Sequence, residues 1–288
     1  MTVYFVSFVV LSALLLLYFR IAEHFKIIDK PNERSSHSHA TIRGGGIIFL
    51  LAALIWFFFY GSGQAWMIAG LTLVALVSFL DDLFNLSGWI RLLAQVLALS
   101  LFFFQPGFPV LPLYILIPAY IVALGWINGF NFMDGINGIT PFYSLIAIAT
   151  FLFLNTAIEF MPVELAVLLI IALVIFSFFN ARVHARVFAG DVGSVSMAYL
   201  LSVMMIHLII KTGRFEYVLF FSVYAVDIAF TIFFRLLRRE NIFRAHRSHL
   251  YQLLSNELGF PHVLVSAIYA MVQGIINVVV ILMIQREM

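Results

Sequence analysis

The stretch Asn128-Gly-Phe-Asn-Phe-Met-Asp-Gly-Ile-Asn-Gly138, NGFNFMDGING, decides how the chain is read. It holds three asparagines, one aspartate and three glycines, and it separates two apolar runs at roughly 110–127 and 139–157. A helix crosses a bilayer in about 20 apolar residues, with a range of about 17–25. The stretch therefore reads as a polar turn at a membrane edge, joining two spanning helices. Polar groups placed there must be solvated, paired or bound to something.

Outward from this turn the same alternation continues along all 288 residues. The chain is 64% hydrophobic and 10% charged, with a mean hydropathy of +1.08. Soluble domains are about half apolar and about a quarter charged. The expected fold is an all-α polytopic membrane protein, a single integral membrane domain over residues 1–288. Candidate spans fall at roughly 3–20, 45–61, 64–80, 90–105, 110–127, 139–157, 162–179, 194–210, 216–234 and 262–284, about ten in all. The first run lacks a charged start and a small-residue cleavage site, so it reads as a retained helix. With no cysteine, a disulfide framework and a thiolate metal site are both excluded.

The loops then alternate between two sides. One set comprises 20–44, 81–89, 127–138, 180–193 and 235–261; with helix-end residues assigned to the nearer loop, it carries thirteen of the sixteen Lys and Arg residues. The excess of basic residues marks that side as cytoplasmic, so both termini face the opposite side, the periplasmic one if the membrane is a bacterial inner membrane. All the chemically rich segments fall in this set: PNERSSHSHATIRGGG (31–46), FLDDLFNLSG (79–88), NGFNFMDGING (128–138), NARVHARVFAGDVGS (180–194) and RAHRSHLYQ (244–252).

Asp81 and Asp82 close an apolar run at a helix C-terminus, where the macrodipole disfavours anions and where adjacent carboxylates call for a cation. Asp134 and Asp191 repeat the pattern, each beside glycine. Gly190, Gly193 and Ser194 suggest a turn presenting N–H groups to phosphate. Four carboxylates with glycines and amides suit a Mg²⁺–diphosphate site, since magnesium takes oxygen ligands shared with phosphates. His246 and His249 would share one face if their segment is helical, forming with Arg244 and Arg247 a basic cluster suited to phosphate. His37 and His39 precede Arg43-Gly44-Gly45-Gly46, a second candidate phosphate loop. Asp227 lies inside a span, with Arg235 eight residues on as its expected partner.

Taken in order, DDLFN, NGFNFMDGING, FAGDVGS and HRSHLYQ resemble the polyprenyl-phosphate N-acetylhexosamine-1-phosphate transferases, glycosyltransferase family 4. The resemblance covers about 29–252 and is closest to the O-antigen-initiating branch. It implies transfer of a sugar-1-phosphate from a UDP-N-acetylhexosamine to undecaprenyl phosphate, releasing UMP, at the cytoplasmic face of a bacterial inner membrane. It implies Mg²⁺, or Mn²⁺ in its place, on Asp191 and Asp81. Asp81 or Asp82 would serve the lipid phosphate, with a covalent acyl-phosphate route as the competing version. Asn128, Asn131 and Asp134 match the nucleotide and sugar side, and Asn180 another position near the nucleotide. Phe188 matches the residue that stacks on uracil. Asn137 departs from the family, where aspartate is usual. Arg43, His246, Arg247 and His249 would contact phosphates. The translocase branch usually carries three histidines where this chain reads His246-Arg247-Ser248-His249, which argues against a muramyl-pentapeptide substrate. The resemblance also makes a homodimer reasonable; nucleic acid is not an expected partner.

Three rivals fit less well. A secondary transporter would place its charges near the midplane, in two related halves. Intramembrane prenyltransferases space their aspartates four apart, whereas DDLFN has asparagine at the fifth position. CDP-alcohol phosphotransferases carry a longer multi-aspartate motif that is absent here.

Overall fold

The computed structural model describes residues 2–31, 39–241 and 247–286. The elements run α1 (Thr2–His24), β1 (Ile28–Asp29), β2 (Thr41–Ile42), α2 (Ile47–Tyr60), α3 (Ala65–Phe84), α4 (Gly88–Phe103), α5 (Leu113–Met133), α6 (Ile139–Ile158), α7 (Val163–Asn180), α8 (Gly190–Thr212), α9 (Ser222–Leu237), α10 (Leu250–Gln252) and α11 (His262–Arg286). Short 3₁₀ segments precede α3 and α9, and α10 continues as a π-turn over Leu253–Glu257. The fold is all-α, and β1 and β2 form a single two-residue antiparallel pair. Among the described residues, eight helical segments are long and apolar enough to cross a membrane. The shorter apolar helices α2 and α4, of 14 and 16 residues, occupy the expected spans 45–61 and 90–105.

Helix α8 is the axis of the bundle, packed against α2, α3, α5 and α6. Its sequence explains its place: Gly190, Gly193, Ser194, Ser196, Ala198 and Ser202 keep its surface thin, and small residues let backbones approach closely in a bilayer. At the N-terminus of α2, a Cβ on Gly46 would overlap the Cα of Gly193. The peripheral α9 is built the opposite way. Its buried stripe is polar, formed by Tyr224, Asp227, Thr231 and Arg235, while Phe230, Phe233 and Phe234 face outward.

Three boundaries differ from expectation. Helix α5 continues to Met133 and absorbs Asn128 and Asn131, so the turn shrinks to Asp134–Gly138. Asn128 is tolerated because its amide donates to the Leu124 carbonyl at 2.8 Å, four residues back. Helix α8 starts at Gly190, not 194. The expected span 216–234 is broken at Ser222, where 3₁₀ backbone meets α-helix. Buried Gln273 mends the break: its Oε1 accepts from the Val223 N–H at 2.9 Å and its Nε2 donates to the Leu219 carbonyl at 3.0 Å. Irregular backbone at membrane depth requires such partners.

Candidate active site

Residues 42–46 and 187–189 are joined by backbone hydrogen bonds, with a single parallel bridge between Ile42 and Val187. The Phe188 N–H donates to Ile42 O, and the Gly45 and Gly46 N–H groups donate to Phe188 O and Ala189 O. The glycine run therefore serves close backbone pairing, and these two amides are not available to a phosphate. Gly44, at φ +82°, lies where a Cβ would overlap the Tyr18 hydroxyl, which donates to Arg43 O at 2.6 Å. The pairing delivers Arg43 to the start of α8. There its Nε lies 2.6 Å from Asp82 Oδ1 and its Nη2 3.3 Å from Asp191 Oδ1.

Asp82 resolves the conflict posed by an anion at the C-terminal end of α3. Its side chain is fully buried and accepts from the Asp191 and Val192 N–H groups at 2.9 and 3.1 Å. It thus occupies the positive N-terminal end of α8. The amides expected to face phosphate are taken by a residue of the chain itself. Gly190 (φ +69°) is required there, since a Cβ would stand 2.5 Å from Asp82 Oδ2. Asp81 accepts from the Leu86 N–H at 2.6 Å and from Arg91 Nη1 at 3.0 Å. The same Arg91 nitrogen lies 3.7 Å from Asp191 Oδ2. Arg91, placed by α4, is in the sequence only one of the thirteen basic residues on the loop-rich side; nothing in its local spacing ties it to the aspartates.

The NGFNFMDGING residues divide. Asn131 Oδ1 accepts from Ser194 Oγ at 2.5 Å, joining α5 to α8 one turn from Asp191. Asp134 accepts from Thr140 Oγ1 at 2.5 Å. Burial pushes the Asp134 carboxyl up to about 6, with the Thr140 hydroxyl working against that shift and the Asp191 charge adding to it. Asn128, in contrast, is engaged with Gln95 of α4, donating to its Oε1 at 2.7 Å. Asn137 is buried and donates to Arg182 O at 2.7 Å and Val183 O at 3.4 Å. Asn180 accepts from the Gly138 N–H at 2.8 Å and donates to Val187 O at 2.9 Å, so it braces the turn.

Asn137 and Phe188 line one cavity of about 290 Å³, together with Thr41, Arg182 and the rings of His39 and His184, whose centroids are 4.8 Å apart. Phe188 is three residues from Asp191, so at most about 11 Å of extended chain separates them. A second cavity of about 300 Å³ is almost wholly apolar and lies between α5, α8 and the 3₁₀ segment before α9, lined by Tyr114, Pro118, Val122, Trp126, Met205 and Phe215. Trp126 precedes Asn131 by five residues, about 7.5 Å along the helix axis.

Asp227 does not pair with Arg235. Its carboxylate accepts from His249 Nδ1 (3.0 Å), the Leu250 and Tyr251 N–H groups (3.0 and 3.3 Å), Tyr269 OH (2.6 Å) and Thr231 Oγ1 (3.3 Å). Arg235 instead meets Glu240 at 3.0 Å and the Asn241 carbonyl. His249 is the N-cap of α10 and is buried. Arg247 is exposed and lies 3.5 Å from Glu257. His246, like His37 and Arg244, lies outside the described residues.

Among the described residues, no group of three or more His, Asp or Glu side chains is arranged around one metal position. Asp81 and Asp191 do converge on one cationic atom, Arg91 Nη1. Two carboxylates with substrate phosphates are the donor set Mg²⁺ commonly takes, so these residues fit such an ion.

A model described as glycosyl transferase family 4 matches residues 64–209, half of the chain. The match spans Asp81, Asp82, the 128–138 motif and Asp191, and leaves Arg43, Asp227 and His249 outside. No curated protein matches the chain.

Proposed function

Since the chain belongs to glycosyl transferase family 4 and is a multi-pass membrane protein that transfers a sugar-1-phosphate to a polyprenyl phosphate, we propose that its donor is a UDP-N-acetylhexosamine and its acceptor undecaprenyl phosphate. The products are undecaprenyl-diphospho-sugar and UMP. The reaction starts a cell-envelope polysaccharide of the O-antigen type at the cytoplasmic face of a bacterial inner membrane. The observation that carries this reading is the meeting of Asp81, Asp82 and Asp191 with Arg43 and Arg91 beside a cavity lined by Asn137 and Phe188.

The uracil ring stacks on Phe188. The Asn137 amide is spent on two backbone carbonyls, which turns its Oδ1 into the group able to accept from the imide N–H of uracil. Arg43 and Arg91 neutralise the diphosphate, and the apolar cavity beside α5 takes part of the polyprenyl chain. A lipid phosphate oxygen attacks the β-phosphorus, the bond from that phosphorus to the bridging oxygen breaks, and the electron pair leaves on UMP. Two anions must approach, so positioning and charge neutralisation are the central tasks. The lipid phosphate is already largely ionised near neutral pH, since a second phosphate pKa is about 6; no strong base is required. Asp191 and Asp81 would hold Mg²⁺, which supplies charge stabilisation on the phosphoryl oxygens. Asp82, saturated as a helix cap, acts by positioning.

The test is UMP release from purified protein with undecaprenyl phosphate, Mg²⁺ and a panel of UDP-N-acetylhexosamines, with and without EDTA. Lipid- and metal-dependent release identifies the donor. Absence of release with every donor, from folded protein that also fails to bind UMP, overturns the reading.

A further inference from the structure

Asp227 stands where a carboxylate is costly, inside a spanning helix whose outer face is phenylalanine. An apolar residue would serve packing alone. Its five donors come from three elements: Thr231 from α9 itself, His249, Leu250 and Tyr251 from the last loop, and Tyr269 from α11. The carboxylate thus clamps residues 249–251 between α9 and α11. Two of its bonds are to the first free N–H groups of α10, so it fixes the start of that helix as well as one ring.

The clamp reaches further through Tyr251. This side chain is fully buried and stacks on His249. Its hydroxyl donates to the Phe132 carbonyl at 2.9 Å. A Cβ on Gly135 would overlap the same hydroxyl, which accounts for the glycine after Asp134. Asn131, one residue before Phe132, holds Ser194 of α8. A continuous set of contacts therefore runs from Asp227 through Tyr251 and the end of α5 to the helix that opens with Asp191.

We propose that Asp227 is a positioning residue for the transfer reaction, setting His249 and, through Tyr251, the Asn131–Gly135 end of α5 against the start of α8. The inference rests on the transferase reading for its effect on turnover, but not for its effect on the turn. Asp227→Asn replaces one acceptor oxygen with an NH₂ facing donors. Its kcat falls about 100-fold, the scale of a misplacement of about 1 Å. UMP binding is unchanged, because Asn137 and Asn180 fix that cavity by separate bonds. Backbone amide exchange quickens at 250–257 and also at 132–136. Tyr251→Phe removes only the link to Phe132; it quickens exchange at 132–136 alone and lowers kcat with the thermal midpoint retained, so it carries the test if Asp227→Asn does not fold.

Unchanged kcat in both variants overturns the proposal. So does a loss of turnover that falls in step with UMP binding and thermal midpoint, or faster exchange confined to 250–257. If wild-type protein turns over no donor, the transferase reading fails, while the exchange data still decide whether Asp227 controls the turn.

Discussion

Two buried acidic clusters lie at the same end of this bundle and are satisfied in opposite ways. Around the start of α8, Asp81 and Asp191 face guanidinium groups whose side chains are 40% and 32% exposed, those of Arg91 and Arg43. Around α9, Asp227 is saturated by hydroxyls, two backbone amides and one imidazole, all inside the protein. Partly solvated ion pairs are individually weak, about 0–1 kcal/mol, so their partners can be exchanged for phosphate or a cation. A carboxylate closed by five donors cannot change partners without moving the backbone. The first arrangement suits chemistry and the second suits positioning, although both present an aspartate on an apolar helix.

Asp191→Asn tests the first half of this contrast most severely. It removes one charge from the exchangeable cluster while keeping the shape. Turnover should fall by at least about 10²–10³-fold, the scale for a single electrostatic group aimed at developing charge. The thermal midpoint should barely move, because Asp82 and not Asp191 caps α8. Retention of more than a tenth of wild-type UMP release in Mg²⁺ would erase the distinction between the clusters.

Asn137→Asp applies the same logic to an amide. From the sequence alone, aspartate looks harmless here, since it is usual in the family. The structure reverses that expectation: a carboxylate at 137 would face Arg182 O and Val183 O with no hydrogen to offer. Leaving such groups unpaired costs about 1–3 kcal/mol, so UMP binding should weaken by about tenfold or more. Calorimetry with UMP measures it. Wild-type affinity in the variant would show that the amide is not what orients this side chain.

What the sequence disclosed, and what it concealed, follows the same division. Span positions, the shared end of the polar loops and the gathering of Asp81, Asp82 and Asp191 were all legible, because apolar length and sidedness are properties of consecutive residues. Partner choice was not. Asp227 and Arg235 lie eight apart on one helix face, yet each found partners in the following loop. Gly45 and Gly46 looked like a phosphate cradle, and their amides serve Phe188 and Ala189 instead. Arg91 carried no local signal because the contact that matters joins α4 to α3 and α8 across the fold. The motif NGFNFMDGING reads as one loop in the sequence, yet two of its asparagines are helical, their side chains taken by partners on other helices.

Arg91→Gln sharpens the claim that the first cluster can exchange its cations. Removing the guanidinium leaves Asp81 and Asp191 without the positive atom they share. An opposite charge withdrawn from a carboxylate pair makes the site more attractive to another cation. Mg²⁺ should then stabilise the substrate-free protein at concentrations up to about fivefold lower, the ceiling set by about 1 kcal/mol for a part-exposed pair. The thermal midpoint titrated with Mg²⁺, and with Na⁺ at matched ionic strength as control, reads this directly. No change in the Mg²⁺ dependence would mean that the guanidinium and the metal do not compete for one position.

The smallest effect belongs to Asn128, and it separates a motif residue from a site residue. Its amide is fully engaged by Gln95 Oε1 and Leu124 O, a closed arrangement like that of Asp227 but with neutral groups and no loop to hold. Side-chain hydrogen bonds between membrane helices average about 0.6 kcal/mol, with a maximum near about 1.7. Asn128→Ala should therefore lower the thermal midpoint slightly and leave the KM for the nucleotide sugar unchanged. Gln95→Ala should cost a similar amount. The double variant should cost less than the two together, because each single change strands the other partner. A selective rise in KM for the nucleotide sugar in Asn128→Ala, with additive stability losses, would place Asn128 against substrate and remove it from the scaffold. The membership of a residue in a polar motif would then predict its role better than the bonds it makes.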